Sequence, residues 1–286
     1  TADSTIAQHH TLEEVVVNGF KQDHISNAPM SVSVTGSTFL QRNELNGLRD
    51  MSSVFPNLFI ADYGARQNTP IYIRGIGSKT NAPSVGLYVD GMPYFERSVV
   101  DLDIAGISGI EVLRGPQGTL YGRNSTGGLI NIYTYSPLDY QNTISKISYG
   151  SRNDVRLGLA HYQKIAPRLG LHVAGNYHRN DGFFRNIYTG KKADDLQSAN
   201  AKVGLAWQAA PLWTMRLNVL FDHSTQGGYP YGLYHADDNT AEAVNYNRYS
   251  SYRRNVLSAG MNWLYKGEAF HFNAQTSFQH SKDKQY

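Results

Sequence analysis

The chain has 286 residues, enough for one or two domains, with 26 basic and 23 acidic side chains and a formal net charge of +3. That near balance leaves no broad basic face for nucleic acid, and the absence of cysteine excludes a disulfide scaffold, a thiolate zinc site and a cysteine nucleophile. No run of about 18 apolar residues occurs, so no transmembrane helix is present, while 20 Tyr and 27 Gly favour strands and turns and hence an all-β or α+β chain.

Residues 1–19 are polar and lack a charged start followed by an apolar core, as expected where a signal peptide either never existed or has been removed. They read as a flexible lead that ends in a β-prone run, EEVVV at Glu13 to Val17. Residues 20–138 read as a small α+β domain with many loops. Pro29 to Gly36 alternates like a strand; helical spacing follows, with Ser37 or Thr38 as N-cap, and Pro56 ends it. Short β-like runs come next: NLFIADY, IYIRG, GLYVDGMPY and IEVLRG. Asp90-Gly91 is a hairpin turn signal, and a short helix is expected from Leu102 to Ile107.

Residues 139–286 change character. Trp213, Met215, Leu217, Val219 and Phe221 share one face of a strand; Thr214, Arg216, Asn218 and Asp222 share the other, with Leu220 the exception. Leu257, Ala259, Met261, Trp263 and Tyr265 repeat the pattern, as do Phe270, Phe272, Ala274 and Phe278. About seven strands of about 8 to 12 residues are expected. The connections at Lys164 to Arg168, Ala209 to Pro211 and Tyr265 to Ala269 are short; Gly182 to Asp195 and His223 to Tyr249 are long. Short turns on one side and long loops on the other mark an outer-membrane barrel, lipid on one face and a polar lumen on the other. Long alternating strands also build soluble sandwiches and lipocalin-like barrels.

The segment from Ile110 to Thr134, IEVLRGPQGTLYGRNSTGGLINIYT, places a glycine-rich loop between two apolar strands. It matches neither phosphate-binding pattern. In RGIGSKT, Ser78 precedes Lys79, which breaks the Walker spacing, and Thr80 stands where a dinucleotide loop needs its third glycine. No His-Glu-x-x-His or Gly-x-Ser-x-Gly occurs and the ten histidines are scattered, so no enzyme is read from this chain.

Taken together, LEEVVVNG, PMSVSV, SSVFPNLFI, IYIRGIG, VGLYVDGMPY and RGPQGTLYGRNSTGG resemble the TonB-dependent receptors of Gram-negative outer membranes, from about Leu12 onward. The resemblance implies an all-β membrane barrel with an N-terminal α+β plug domain. It divides the chain into a lead with the TonB box (1–19), the plug (20–138) and an N-terminal part of the barrel (139–286). The family barrel has 22 strands; about seven cannot close it, so the chain is expected to be a piece of a longer protein. The TonB box is placed at Leu12, Glu13, Glu14, Val15, Val16 and Val17, which would pair as an added strand with the periplasmic C-terminal domain of TonB. The same run could instead be the first plug strand. Arg74 and Arg114 match family arginines between plug and barrel that pair with carboxylates, with Glu111 as a plug partner.

The resemblance further implies TonB-driven import of a metal chelate (siderophore, haem or cobalamin) across the outer membrane, with a glycan importer and a soluble β-rich binding module as the alternatives. Outer-membrane lipids, and in some relatives a surface lipoprotein, would be further partners; nucleic acid would not. Candidate ligand contacts are Asp62, Tyr63, Arg66, Gln67, Asn68, Lys79 and Asn81 on plug loops and Tyr229, Tyr231 and Tyr234 on an outer loop, whose rings suit a planar ligand. No cofactor is required. Asp237 and Asp238, with Asn239, are candidate oxygen ligands for calcium.

Overall fold

The computed structural model describes residues 16–18, 22–24, 31–43, 45, 47–77, 82–95, 103–121, 124–228 and 230–286. Strands β1 (Val16–Asn18) and β2 (Gln22–His24) form a small antiparallel hairpin. β3 (Ser31–Gly36) runs straight into α1 (Ser37–Arg42), and a 3-10 turn follows at Arg49–Ser53. The helical spacing after Ser37 therefore gives two short turns rather than one helix. Gly47 separates them: its N–H donates to the Asp50 carboxylate at 3.1 Å, and its backbone bridges to Asp103.

β4 (Leu58–Ile60), β5 (Ile71–Ile73) and β6 (Ile76–Gly77) make a three-stranded antiparallel sheet. β7 (Val85–Val89) and β8 (Met92–Tyr94) form the hairpin expected at Asp90-Gly91, whose φ angles of +50° and +82° are the left-handed pair of a type I′ turn. β9 (Ile107–Arg114), α2 (Gly118–Tyr121) and β10 (Gly128–Thr134) complete a five-stranded sheet in the order β3-β9-β10-β7-β8. Val85, Leu87, Val89, Ile110, Val112, Ile130 and Ile132 bury its apolar face against Leu48, Met51 and Phe55. The helix expected from Leu102 to Ile107 is absent over its described residues, 103–107. Gly106 has φ +71°, and the Asp103 carbonyl accepts from barrel asparagines instead of a helical N–H.

The glycine-rich segment closes the β9–β10 hairpin. Gly115 N–H donates to Gly127 O at 3.2 Å and Gln117 N–H to Ser125 O at 2.8 Å. Gly128, at φ +144°, lies so close to its neighbours that a Cβ would press into the Leu113 carbonyl and reach 2.8 Å from Ile73 Cδ1. Backbone packed on backbone is what this glycine permits.

Then come β11 (Asn142–Gly150), β12 (Asp154–Ala166), β13 (Leu169–Asn180), β14 (Leu196–Ala210) and β15 (Trp213–Gly227). A small hairpin follows, β16 (Tyr234–His235) and β17 (Thr240–Ala241), and then β18 (Ser251–Lys266) and β19 (His271–Gln285). The long strands form one antiparallel sheet of seven, β11-β12-β13-β14-β15-β18-β19. The tight connections after β12, β14 and β18 lie at one end; the long loops after β13 and β15 lie at the other, together with the short turn at Ser151–Asn153.

The alternation is inside out relative to a soluble sheet. Phe221 and Val219 are 47% and 38% exposed, whereas the intervening Asn218, Leu220 and Asp222 are buried. The register carries one outward row from Phe221 to Leu257 and Ala201, and the row one pair nearer the tight turns from Val219 to Val203 and Ala259. The polar face is covered by the plug; the apolar face is bare, as lipid requires. From Trp213 to Phe221 the strand climbs about 26 Å at about 3.3 Å per residue. At a tilt of about 40° that is an apolar band about 20 Å tall.

Candidate functional site

The site is the seam where the plug meets the polar inner wall. The β7–β8 hairpin aims its turn at the wall. Asp90 forms a buried ion pair with Lys202 of β14 and accepts from the Thr134 N–H at 2.7 Å and Oγ1 at 2.9 Å. Lys202 also donates to Thr134 Oγ1 at 3.1 Å. Burial opposes ionisation of Asp90, but the Lys202 charge and the hydrogen bonds from Lys202 and Thr134 outweigh it and hold the carboxyl below the usual carboxylate range. Along the same hairpin Gln275 donates to the Gly91 carbonyl, and the Phe95 N–H donates to Gln279 Oε1 at 3.3 Å.

A second tie surrounds Arg66. Its guanidinium donates to Asp103 Oδ2 at 3.0 Å and to Ser198 Oγ of β14 at 2.8 Å. Its N–H donates to Gln226 Oε1 at 2.8 Å, and Gln226 returns a bond to the Gly64 carbonyl at 2.8 Å. Asn176 and Asn200 donate to the Asp103 carbonyl at 3.3 and 2.7 Å. In the wall itself, Arg254 donates to Asp222 Oδ1 at 2.9 Å with both side chains fully buried.

Of the three expected seam residues, Glu111 and Arg114 make hydrogen bonds within the plug. The hydrogen bonds Glu111 accepts from Tyr133 OH at 2.9 Å and Asn131 Nδ2 at 3.3 Å come from β10, within the plug. Burial, then the Glu111 charge, pushes the Tyr133 phenol well above its ordinary value. Arg114 donates to the Pro56 carbonyl, Ser31 and Ser33 at 3.0, 3.3 and 2.7 Å, again within the plug. Burial and then Arg74 lower its pKa. Arg74 is exposed at φ +52° and makes no ion pair among the described residues. In the ties described, the plug contributes Asp90 at a turn and Arg66 in a loop, and the wall contributes Lys202, Ser198 and Gln226.

Of the candidate ligand contacts, Arg66 is buried in the second tie. Gln67 and Asn68 are half-buried in its loop, and the Asn68 N–H donates to Ala65 O at 2.9 Å. Asp62 pairs with Arg49 at 2.7 Å. Tyr231 reaches the plug, donating to the Tyr63 carbonyl. Tyr63 also lines a cavity of about 390 Å³ with Phe59, Tyr72 and Arg74. Tyr234 is apart, donating to Asn239 Oδ1 at 2.7 Å in the β16–β17 hairpin. Lys79, Asn81 and Tyr229 lie outside the described residues, as do Leu12, Glu13, Glu14 and Val15. Val16 and Val17 belong to β1, paired with β2. Asp238 Oδ1 accepts from the Thr240 N–H and Oγ1. Among the described residues no three His, Asp or Glu side chains, Asp237 and Asp238 included, cluster as a metal site.

Residues 24–129 match the family model described as the TonB-dependent receptor plug domain. The pesticin receptor of Yersinia pestis is 36% identical over 130 residues, 43% of this chain and 19% of that protein. That of Yersinia enterocolitica is 41% identical over 86 residues, 29% of this chain and 13% of that one. The chain thus spans about a fifth or less of the length of these curated relatives. Among solved structures, the ferric yersiniabactin uptake receptor FyuA of Yersinia pestis superposes with a TM-score of 0.80 at 24% identity, over 91% of this chain and 42% of that one. The ferric-catecholate import receptor Fiu of E. coli gives 0.68 at 19% identity, over 89% and 39%. Residues 24–129 thus carry a TonB-dependent receptor plug domain, seated on the polar face of a wall whose other face is bare and apolar, in a fold shared with outer-membrane receptors of this type.

Proposed function

We propose that the chain is the plug and the first barrel strands of a TonB-dependent importer of a ferric siderophore. The observation that carries this reading is the seam: a folded plug held to the lumen wall by a few polar ties, on a fold shared with receptors named for ferric yersiniabactin and ferric catecholates. The ligand would enter from the long-loop side and rest on the loop at 62–69 and on Tyr231. TonB would engage Leu12–Val17 by strand addition and draw on the plug, and release of the Asp90–Lys202 and Arg66–Ser198 ties would open a path.

The test uses the complete reading frame, purified in detergent. A band whose migration changes on heating reports a closed barrel. Binding of ferric siderophores, haem, cobalamin and maltooligosaccharides is then measured on that preparation. A ferric siderophore bound in preference to the others supports the reading. A preference for haem or cobalamin moves the ligand class, and preference for a glycan overturns it. Iron-limited growth that persists without TonB would refute the energy coupling.

A further inference from the structure

Between the last plug strand and the first wall strand the chain forms a turn laid on the wall. Thr134 closes β10, paired with Ile107, and Asn142 opens β11. Within the residues that join them, the Asp139 and Tyr140 N–H groups donate to Ser136 O at 3.1 and 2.9 Å, and Gln141 Nε2 donates to Pro137 O at 3.2 Å. The turn touches β13 backbone to backbone: a Cβ on Gly170 would stand 2.7 Å from both the carbonyl carbon and the oxygen of Pro137.

The turn is also held by rings. Tyr135 and Tyr140 stack on each other, centroids 4.0 Å apart and planes 15° from parallel. Tyr162 of β12 meets both edge-on, at 5.8 and 5.6 Å, and His172 of β13 stacks on Tyr162 at 5.5 Å. Tyr162 is buried, and its hydroxyl donates to the Gly106 carbonyl at 3.2 Å. Ala160, Ala174 and Ile144 pack around the cluster. Stacked and edge-to-face pairs at these separations attract beyond the area they bury. The chain therefore changes its attachment within one residue. Thr134 is bonded to the plug, through Asp90 and Ile107; Tyr135 is packed on the second wall strand.

The position of β11 gives this change a consequence. β11 has nine residues and is the wall strand joined directly to the plug, so tension on the plug would arrive first at Asn142. A pull on the end residue of a strand breaks its ladder pairs one after another, beginning here with the pair Asn142–Tyr162. The rings intercept that pull before it reaches Asn142, and they do so on Tyr162, the residue facing Asn142 in the register.

We propose that this aromatic strap is the stop for plug withdrawal: tension on the plug passes through the linker to Tyr162 and His172 and not into the β11 ladder, so the chain is drawn out as far as Thr134 and the wall stays whole. The inference rests on the reading that TonB draws on the plug, and adds where that draw ends.

The experiment pulls the complete receptor in lipid vesicles by a handle fused ahead of the plug, with the barrel held by the membrane. Force spectroscopy reads the length of chain released. In the wild type the release should end at Thr134. In Tyr162→Leu it should run on through the linker and β11 to Gly150, about 16 residues or about 55 Å more at about 3.5 Å per residue. Tyr149→Leu, which changes an exposed ring on β11 outside the strap, should leave the end point at Thr134. A wild-type release that already runs into β11, or a Tyr162→Leu release that stops short of it, would overturn the proposal. Heat-modifiable migration shows that each variant is folded; should Tyr162→Leu fail, Tyr140→Leu, in the linker, decides by the same end point. Pulling needs neither TonB nor a cargo, so its outcome stands apart from the siderophore-binding and TonB-dependence tests of the import reading.

Discussion

Replacing Asp90 by Asn tests the seam at its most buried tie. Asparagine tolerates the left-handed backbone that Asp90 occupies at φ +50°, and its side-chain oxygen can still accept the Thr134 N–H, so the turn survives. What is lost is the countercharge. The Lys202 ammonium, 3% exposed, keeps only Thr134 Oγ1 at 3.1 Å. Leaving one member of a buried pair uncompensated costs about 3 kcal/mol or more. The readout is amide hydrogen exchange in β7, β8 and β10 of the complete receptor, where the Asp90 N–H itself donates to Ile132 O at 2.8 Å. A loss of about 3 kcal/mol in local opening free energy speeds exchange there by roughly 100-fold or more. Lys202→Met should cost less, about 1–3 kcal/mol, because Asp90 retains two bonds from Thr134. The double variant should recover at least about 1 kcal/mol relative to the sum of the singles. A change below about fivefold in Asp90→Asn, or strict additivity, would refute the claim that this pair pins the hairpin.

Three further outcomes follow from the geometry. The pH dependence of the same tie has a fixed sign: the folded-state pKa of Asp90 is depressed, so its contribution is complete above about 3.9 and is lost only as pH falls through the lower folded value. Opening free energies of the β7–β8 hairpin should therefore hold between pH 7 and pH 5, and a loss in that window would contradict the assignment. Val203→Arg, at an outward and half-exposed position within the apolar band, should cost about 2–4 kcal/mol for folding into a bilayer; on a water-facing sheet it would change stability by less than about 0.5 kcal/mol, so folding titrations in lipid vesicles discriminate the two. Gly128→Ala should lower plug stability by more than about 2 kcal/mol, through the strained φ and the clash with the Leu113 carbonyl, and unchanged protease resistance of the plug would show that β9 and β10 can separate to admit a Cβ.

Much of the architecture was readable because its signals are local. Period-2 alternation from Trp213 to Phe221 and from Leu257 to Tyr265 names both faces of a strand, and Asp90-Gly91 names a turn. The helix expected at Leu102–Ile107 failed because the competing signal was distant: Asn176 and Asn200, more than seventy residues away, capture the Asp103 carbonyl. The ties at the seam were less legible. Arg74 and Arg114 stand out in the glycine-rich plug sequence, whereas Lys202, Asp222 and Arg254 look like ordinary members of a polar strand face. A usable sign was present: those charges fall on the face opposite the Phe221–Leu257 row, and a charge on a lumen face that a plug fills must find a partner.

The composition of the seam bears on how the plug can leave it. The plug's own core is apolar, and Val256 is the wall residue that joins it. A second apolar contact sets Ala105 of the plug against Ala160, Tyr162 and Ala174 of the wall; the other ties described run through side-chain amides, hydroxyls and two charged clusters. A hydrogen bond exchanged for one to water contributes only about 0.5–1.5 kcal/mol net, while burying apolar side chains against each other commits about 1.5–3 kcal/mol per residue. A polar seam can therefore be hydrated one tie at a time, with the β3-β9-β10-β7-β8 sheet still packed on Leu48, Met51 and Phe55. The buried Asp90–Lys202 pair is the exception, since each charge needs water or its partner throughout the separation. Water reaching the Asp90 turn is thus the step that should set the force at which the seam opens, and the Asp90→Asn/Lys202→Met pair, which removes both charges, should open at lower force than the wild type without loosening the plug core.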